Sequence, residues 1–189
     1  QEIVDSSQVQ LFHADIAHMF RETIFRANQL PEEIGTRQRL NKAVKNGTVK
    51  RISHNWYATE HAPPDVVYGL QKDVRLTCVS AAKHHGIYTP LFNGFHVYSV
   101  HSRCNTYLSS SYITHPSPYL DKWPDDNPIA PLDLTLLHAG RCLPVAEAAI
   151  LFESALNLGK ILPGDALAII DKLPGNRRRS LSRIRSDAQ

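Results

Sequence analysis

The sequence predicts an α+β protein: a helical N-terminal segment closed by a β-hairpin, followed by a mixed α+β domain. Three observations carry that reading. Apolar residues recur at helical spacing near the N-terminus, and two β-rich runs follow directly after Asn46-Gly47. Beyond Pro63-Pro64, helix-like and strand-like stretches are interspersed, with no repeat and no low-complexity tract.

Leu11, Phe12, Ile16 and Phe20 fall on one face of a first helix over Leu11–Phe20. A second short helix is predicted over Ile24–Leu30. Pro31 and Gly35 bracket a turn, because both residues resist helix continuation. Thr36 is suited to cap a third helix running to Asn46, and Gly47 supplies the left-handed residue that ends it. Thr48–Ile52 and Trp56–Ala58, joined by Ser53-His54-Asn55, read as a β-hairpin. Helix, helix, turn, helix, hairpin is the order of a winged helix-turn-helix, which is assigned to residues 1–62 and closed by the stiff Pro63-Pro64 boundary.

Residues 63–175 form the second, α+β domain. Asp65–Lys72 and Cys78–His85 are predicted helical, the latter stopping at Gly86. Phe95–His101 alternates like a strand and Tyr112–His115 is a second one. Leu120–Pro131 is a loop, rich in proline and aspartate. Leu132–Ala139, Val145–Leu158 and Gly164–Leu173 are helical, and the near-continuous apolar character of Val145–Leu158 predicts a buried helix. Residues 176–189 are a basic C-terminal tail.

The formal net charge of +3 conceals an uneven distribution. Thr36–Asn55 holds six basic residues and no acid, and Lys172–Gln189 holds six more against Asp187 alone. The rest of the chain is therefore acidic, and two basic islands on an acidic body point to a local polyanion contact. No stretch reaches the roughly 18 apolar residues of a membrane span. With no secretory leader pattern and three widely spaced cysteines, the sequence predicts a cytoplasmic protein with reduced thiols.

On the third helix, Leu40, Ala43 and Val44 share the inward side, while Gln38, Asn41, Lys42 and Lys45 face outward with Arg39 at the edge. Amides pair bidentately with adenine, and Lys or Arg with guanine, in the major groove of duplex DNA. Arg37, Gln38, Asn41 and Lys42, in the N-terminal part of the helix behind its Thr36 cap, are the predicted base contacts. Arg39, Lys45, Lys50 and Arg51 are predicted phosphate contacts, and His54 and Asn55 at the hairpin tip reach the backbone or the minor groove. Arg177, Arg178 and Arg179 are predicted to follow the DNA backbone once the helix has docked.

These motifs also carry a family resemblance. Ile24-Phe25-Arg26-Ala27-Asn28-Gln29-Leu30, Gly35-Thr36-Arg37-Gln38-Arg39-Leu40, Gly47-Thr48-Val49-Lys50-Arg51-Ile52 and Trp56-Tyr57-Ala58 resemble the N-terminal winged helix of AbiEi-type antitoxins. Arg75–Ala82 with His85-Gly86 resembles the segment that follows it, and Ala146–Leu156 resembles a late helix in which Asp often replaces Glu153. The resemblance implies a DNA-binding transcriptional repressor, commonly the antitoxin of a type IV pair that represses its own operon. It also implies a cognate toxin, nucleotidyltransferase-like, that is opposed functionally without stable binding. Ser53-His54-Asn55 departs from the Arg-Arg-Gly turn members often carry, so the wing tip here lacks an arginine. Two other readings stay open: the DNA-targeting portion of a very-short-patch-repair-like endonuclease, whose preceding basic helix Arg177–Asp187 resembles, and a module that docks a toxin or another protein. The oligomeric state is left open.

Enzyme chemistry finds no anchor. There is no G-x-S-x-G elbow, no Gly-rich phosphate loop, and no lysine-carboxylate set downstream of Asp125-Asp126, which read as a solvated turn. Among ten histidines, adjacent His84-His85 cannot share one helix face, and His101 and Cys104 lack a second close ligand pair. His85 is expected at a helix end beside Gly86, favoured there by the helix dipole. The sequence therefore predicts no metal, no cofactor and no catalytic residue.

Overall fold

A computed structural model describes residues 20, 22–99, 110–116 and 127–182 of the chain. The described residues form a mixed α+β protein of seven helices and two three-stranded sheets. None of these helices is long and apolar enough to cross a membrane. The predicted first helix, Leu11–Phe20, lies outside the described residues except for Phe20, which is helical and buried.

The first sheet has the order β1-β3-β2, with β1 at Ile24–Arg26, β2 at Val49–Ser53 and β3 at Trp56–Thr59, all antiparallel. The strand at Ile24–Arg26 corrects the expected helix over Ile24–Leu30. Ile24 packs with Trp56 and Val66 on one side, whereas Phe25 packs with Leu40, Val49 and Tyr57 on the other. Successive side chains thus bury on opposite faces, the two-residue period of a strand, and pairing with Trp56–Ala58 decides the conformation of a run too short to declare it.

Helix α1, Arg37–Lys45, begins where expected, with Thr36 Oγ1 accepting from the Arg39 amide at 3.3 Å. It ends in a Schellman arrangement. Gly47, at φ 79°, donates to the Val44 carbonyl, and Thr48 donates to that of Ala43. The hairpin β2–β3 carries a register shift between Arg51 and Ser53, and Asn55 takes φ 62° at its turn. Asn tolerates that left-handed conformation better than most residues.

Helix α2, Pro64–Gln71, presents Val66 and Leu70 to the apolar layer that also holds Ile24, Trp56, Val74, Leu76, Val97 and Ile129. This layer runs continuously from the first sheet to the second, whose order is β4-β5-β6. Strand β4, Val74–Leu76, is three residues long and gives no alternating signal of its own. It pairs antiparallel with β5, Phe95–Ser99, and β5 pairs in parallel with β6, Tyr112–His115. Positions 100–109 and 117–126, including His101, Cys104, Ser109 and Asp125-Asp126, lie outside the described residues.

Helix α3, Cys78–Ala82, is short and wholly buried, and the turn after it ends at Gly86. Helices α4 (Leu132–Cys142), α5 (Val145–Asn157), α6 (Pro163–Asp171) and α7 (Gly175–Leu181) complete the fold. The expected buried helix, Val145–Leu158, proves half-buried. Ala148, Leu151, Phe152 and Ala155 face the core, while Ile150, Glu153 and Leu158 are exposed. The interior is taken by α4, whose residues from Leu134 to Gly140 are all buried. The basic C-terminal segment is helical over Gly175–Leu181, and Leu181 is fully buried against the helical core.

Candidate functional site

The acid-free segment Thr36–Asn55 folds as one unit, α1 followed by β2 and the hairpin turn. Leu40 alone is buried on α1, with Ala43 half-buried over it. Thr36, Arg37, Gln38, Arg39, Asn41, Lys42 and Lys45 are exposed, as are Lys50, Arg51 and His54. Among the described residues none of these cations is held in an ion pair. Val44, expected to pack inward, is 37% exposed, because the underlying cluster is completed from Phe25, Val49 and Tyr57 instead. Asn55 is half-buried, and its carbonyl accepts from the Ala27 amide, which ties the hairpin to the end of β1.

The three arginines of α7 divide. Arg178 and Arg179 are exposed, whereas Arg177 is half-buried and donates to the Leu143 carbonyl. Arg177 thus serves helix docking, a role the charge pattern did not distinguish from that of its neighbours. Helix α7 packs on α5 and α6.

The fold also assembles a set of side chains that sequence spacing kept apart. Cys78 at the start of α3, His96 in β5, His115 at the end of β6 and Cys142 at the end of α4 each bring one N or S atom into a group lying within 4.8 Å of one another. His96 Nδ1 stands 3.1 Å from His115 Nε2, and Cys142 Sγ stands 3.8 Å from His96 Nδ1. Cys78, His96 and His115 are buried, while Cys142 lies at the rim. The strand register explains the two histidines. Tyr98 is opposite His115 and Ile113 is opposite His96, so the histidines are diagonal neighbours on one sheet face.

Surrounding groups hold this cluster in place. The Ser80 hydroxyl accepts from the His96 amide at 2.9 Å. His138 stacks on His115 with ring centroids 4.8 Å apart. Its Nε2 must donate to the Pro116 carbonyl at 3.0 Å, since a carbonyl only accepts, and its Nδ1 lies 2.8 Å from the Thr77 hydroxyl. Burial, with the charge of His115, holds His138 down to about 3, so it is neutral and Nδ1 accepts from Thr77. Hydrogen bonds from Cys78, His115 and His96 hold the Cys142 thiol far below its ordinary range. The same hydrogen bond to Cys142, reinforced by burial, pushes Cys78 far above it. Two thiols and two imidazoles so placed are the donor set of a four-coordinate metal.

The remaining predicted histidine features resolve as structure. His85 is buried rather than placed at a helix end for its dipole; its Nε2 donates to the Ala130 carbonyl at 2.8 Å and fixes the approach to α4. His84 joins Lys83 on the Asp65 carboxylate, at 2.9 and 2.6 Å. The convergence of these four side chains was not legible because each comes from a different element, with no close pair in the chain. Its one local trace is that Cys78 and Cys142 sit at helix ends, and the histidines in strand-like runs. The chain matches no protein-family model, and comparison with curated proteins returns no match.

Proposed function

We propose that residues 1–62 are used as a winged helix-turn-helix that binds double-stranded DNA through the basic face of Thr36–Asn55, and that the chain acts as a cytoplasmic transcriptional repressor. The observation that carries this reading is the exposed face of α1. It offers Arg37, Gln38, Arg39, Asn41, Lys42 and Lys45 with no acid, directly ahead of a hairpin bearing Lys50 and Arg51. Cations on such a face neutralise phosphates, and amides and cations at the helix start read base edges. The resemblance to AbiEi-type antitoxins supports autoregulation of the chain's own operon, with a toxin opposed functionally. This reading gives the chain no reaction of its own.

Binding to a duplex from its own promoter is expected to weaken steeply as salt rises, by counterion release. Lys42→Ala should lose discrimination between promoter and random duplex, worth about 1–3 kcal/mol at the affected base. Lys50→Ala should weaken both duplexes alike and lower the salt slope by about 1. Titration of labelled duplexes by fluorescence anisotropy measures all three. Absence of binding to any duplex, or affinity indifferent to salt, sinks the reading; a reversed mutant pattern moves the base-reading face from α1 to the hairpin.

A further inference from the structure

We propose that Cys78, His96, His115 and Cys142 form a structural zinc site that pins the second sheet to the helical layer. Bond lengths of about 2.3 Å to sulfur and 2.0–2.1 Å to nitrogen set the edges of a zinc tetrahedron. They correspond to about 3.4 Å between nitrogens and about 3.6 Å between sulfur and nitrogen. The observed 3.1 and 3.8 Å between ligand atoms match these edges, and all four donors fall within 4.8 Å of one another. A single ion placed among them would touch all four with only side-chain adjustment.

The chemistry of the donors selects the metal. Two thiolates and two imidazoles suit zinc, whereas magnesium and calcium require oxygen ligands. Both cysteines bind as thiolates, with any thiol proton passing to solvent, and their two negative charges balance the +2 charge of zinc. The resulting centre is neutral, as burial of Cys78, His96 and His115 requires. Four protein ligands fill the tetrahedron, so no position is left for a reacting water, and the site is structural. A Cys78–Cys142 disulfide would instead leave two imidazole nitrogens facing each other at 3.1 Å in the interior.

The supporting groups fit a fixed site. Cys78 is held at φ 51°, a left-handed conformation that non-glycine residues avoid and that the surrounding packing must enforce. His138 fixes the Pro116 carbonyl beside ligand His115 and stacks on its ring, and Ser80 fixes the backbone of His96. The ligands come from four elements, so the ion would join the start of α3 and the end of α4 to strands β5 and β6. This inference is independent of DNA binding.

The test uses the full chain, reduced, stripped with chelator and reloaded with Zn2+ or Co2+. Zinc is expected to bind at about one per chain. The Co2+ form is expected to show the visible bands of a tetrahedral ion together with thiolate charge transfer. Cys142→Ser, chosen because Cys142 is at the rim, is expected to weaken zinc binding by about 100-fold or more and to abolish the charge-transfer change of one thiolate. X-ray absorption of the zinc-loaded wild-type chain, which requires no variant to fold, is expected to give two sulfur and two nitrogen neighbours. The proposal is overturned if the stripped chain takes up no zinc, or if Cys142→Ser binds it unchanged. It is equally overturned if the absorption spectrum shows oxygen ligands, or if Cys78 and Cys142 are isolated as a disulfide from chain purified under reducing conditions.

Discussion

Asp65 shows how one side chain at the head of α2 ties that helix to the turn after α3. Burial raises its carboxyl pKa, yet the hydrogen bonds and charges of His84 and Lys83 outweigh burial and hold it below the ordinary carboxylate range. A carboxylate with a depressed folded-state pKa stabilises fully above its unfolded value of about 4 and loses that contribution as pH falls further. Asp65→Asn is therefore expected to cost about 1–2 kcal/mol near neutral pH, with Lys83 half-exposed and its share reduced by solvent. Urea denaturation at about pH 7 and about pH 3 checks the sign, since the gap between variant and wild type should narrow in acid. A gap unchanged between the two pH values would mean that the Asp65 site contributes nothing through charge.

Among the elements, β5 depends on the turn that launches it. Gly94 sits at φ 78°, and a Cβ there would lie 2.6 Å from the Ser111 carbonyl oxygen. That carbonyl accepts from Phe95 at 2.8 Å, the bond that starts the parallel register carrying His96 and His115. Backbone atoms cannot swing aside as a side-chain tip can. Gly94→Ala is thus expected to cost about 2–3 kcal/mol, the left-handed penalty plus the displaced register. For a chain of this size that is a fall of roughly 5–10 °C in Tm by calorimetry. A Tm within a degree of wild type would show that β6 shifts freely. By contrast, Gly47→Ala meets no atom within 4 Å and bears only the backbone penalty.

At the scale of the whole molecule, the two basic islands stand on different supports. Cutting the chain at about Pro174 would remove the burial of Leu181 and the Arg177 bond to Leu143, so a loss of DNA affinity would mix folding with binding. The paired change Arg178→Ala and Arg179→Ala touches exposed residues only. If α7 follows the DNA backbone, this variant should bind all duplexes more weakly, with a salt slope lowered by up to about 2, and an unchanged Tm. Equal affinity would assign α7 to the fold alone. What the sequence by itself determined is local: Thr36 as a cap, Gly47 as a stop, the β2–β3 hairpin, and the exposed basic face of α1, since caps, periodicity and charge act within a few residues. What only the tertiary structure decided depends on distant partners. Ile24–Arg26 became a strand because Trp56–Ala58 pairs with it, and Arg177 turned inward to meet Leu143. Cys78, His96, His115 and Cys142 became one cluster because four elements converge, a proximity that no spacing along the chain encodes.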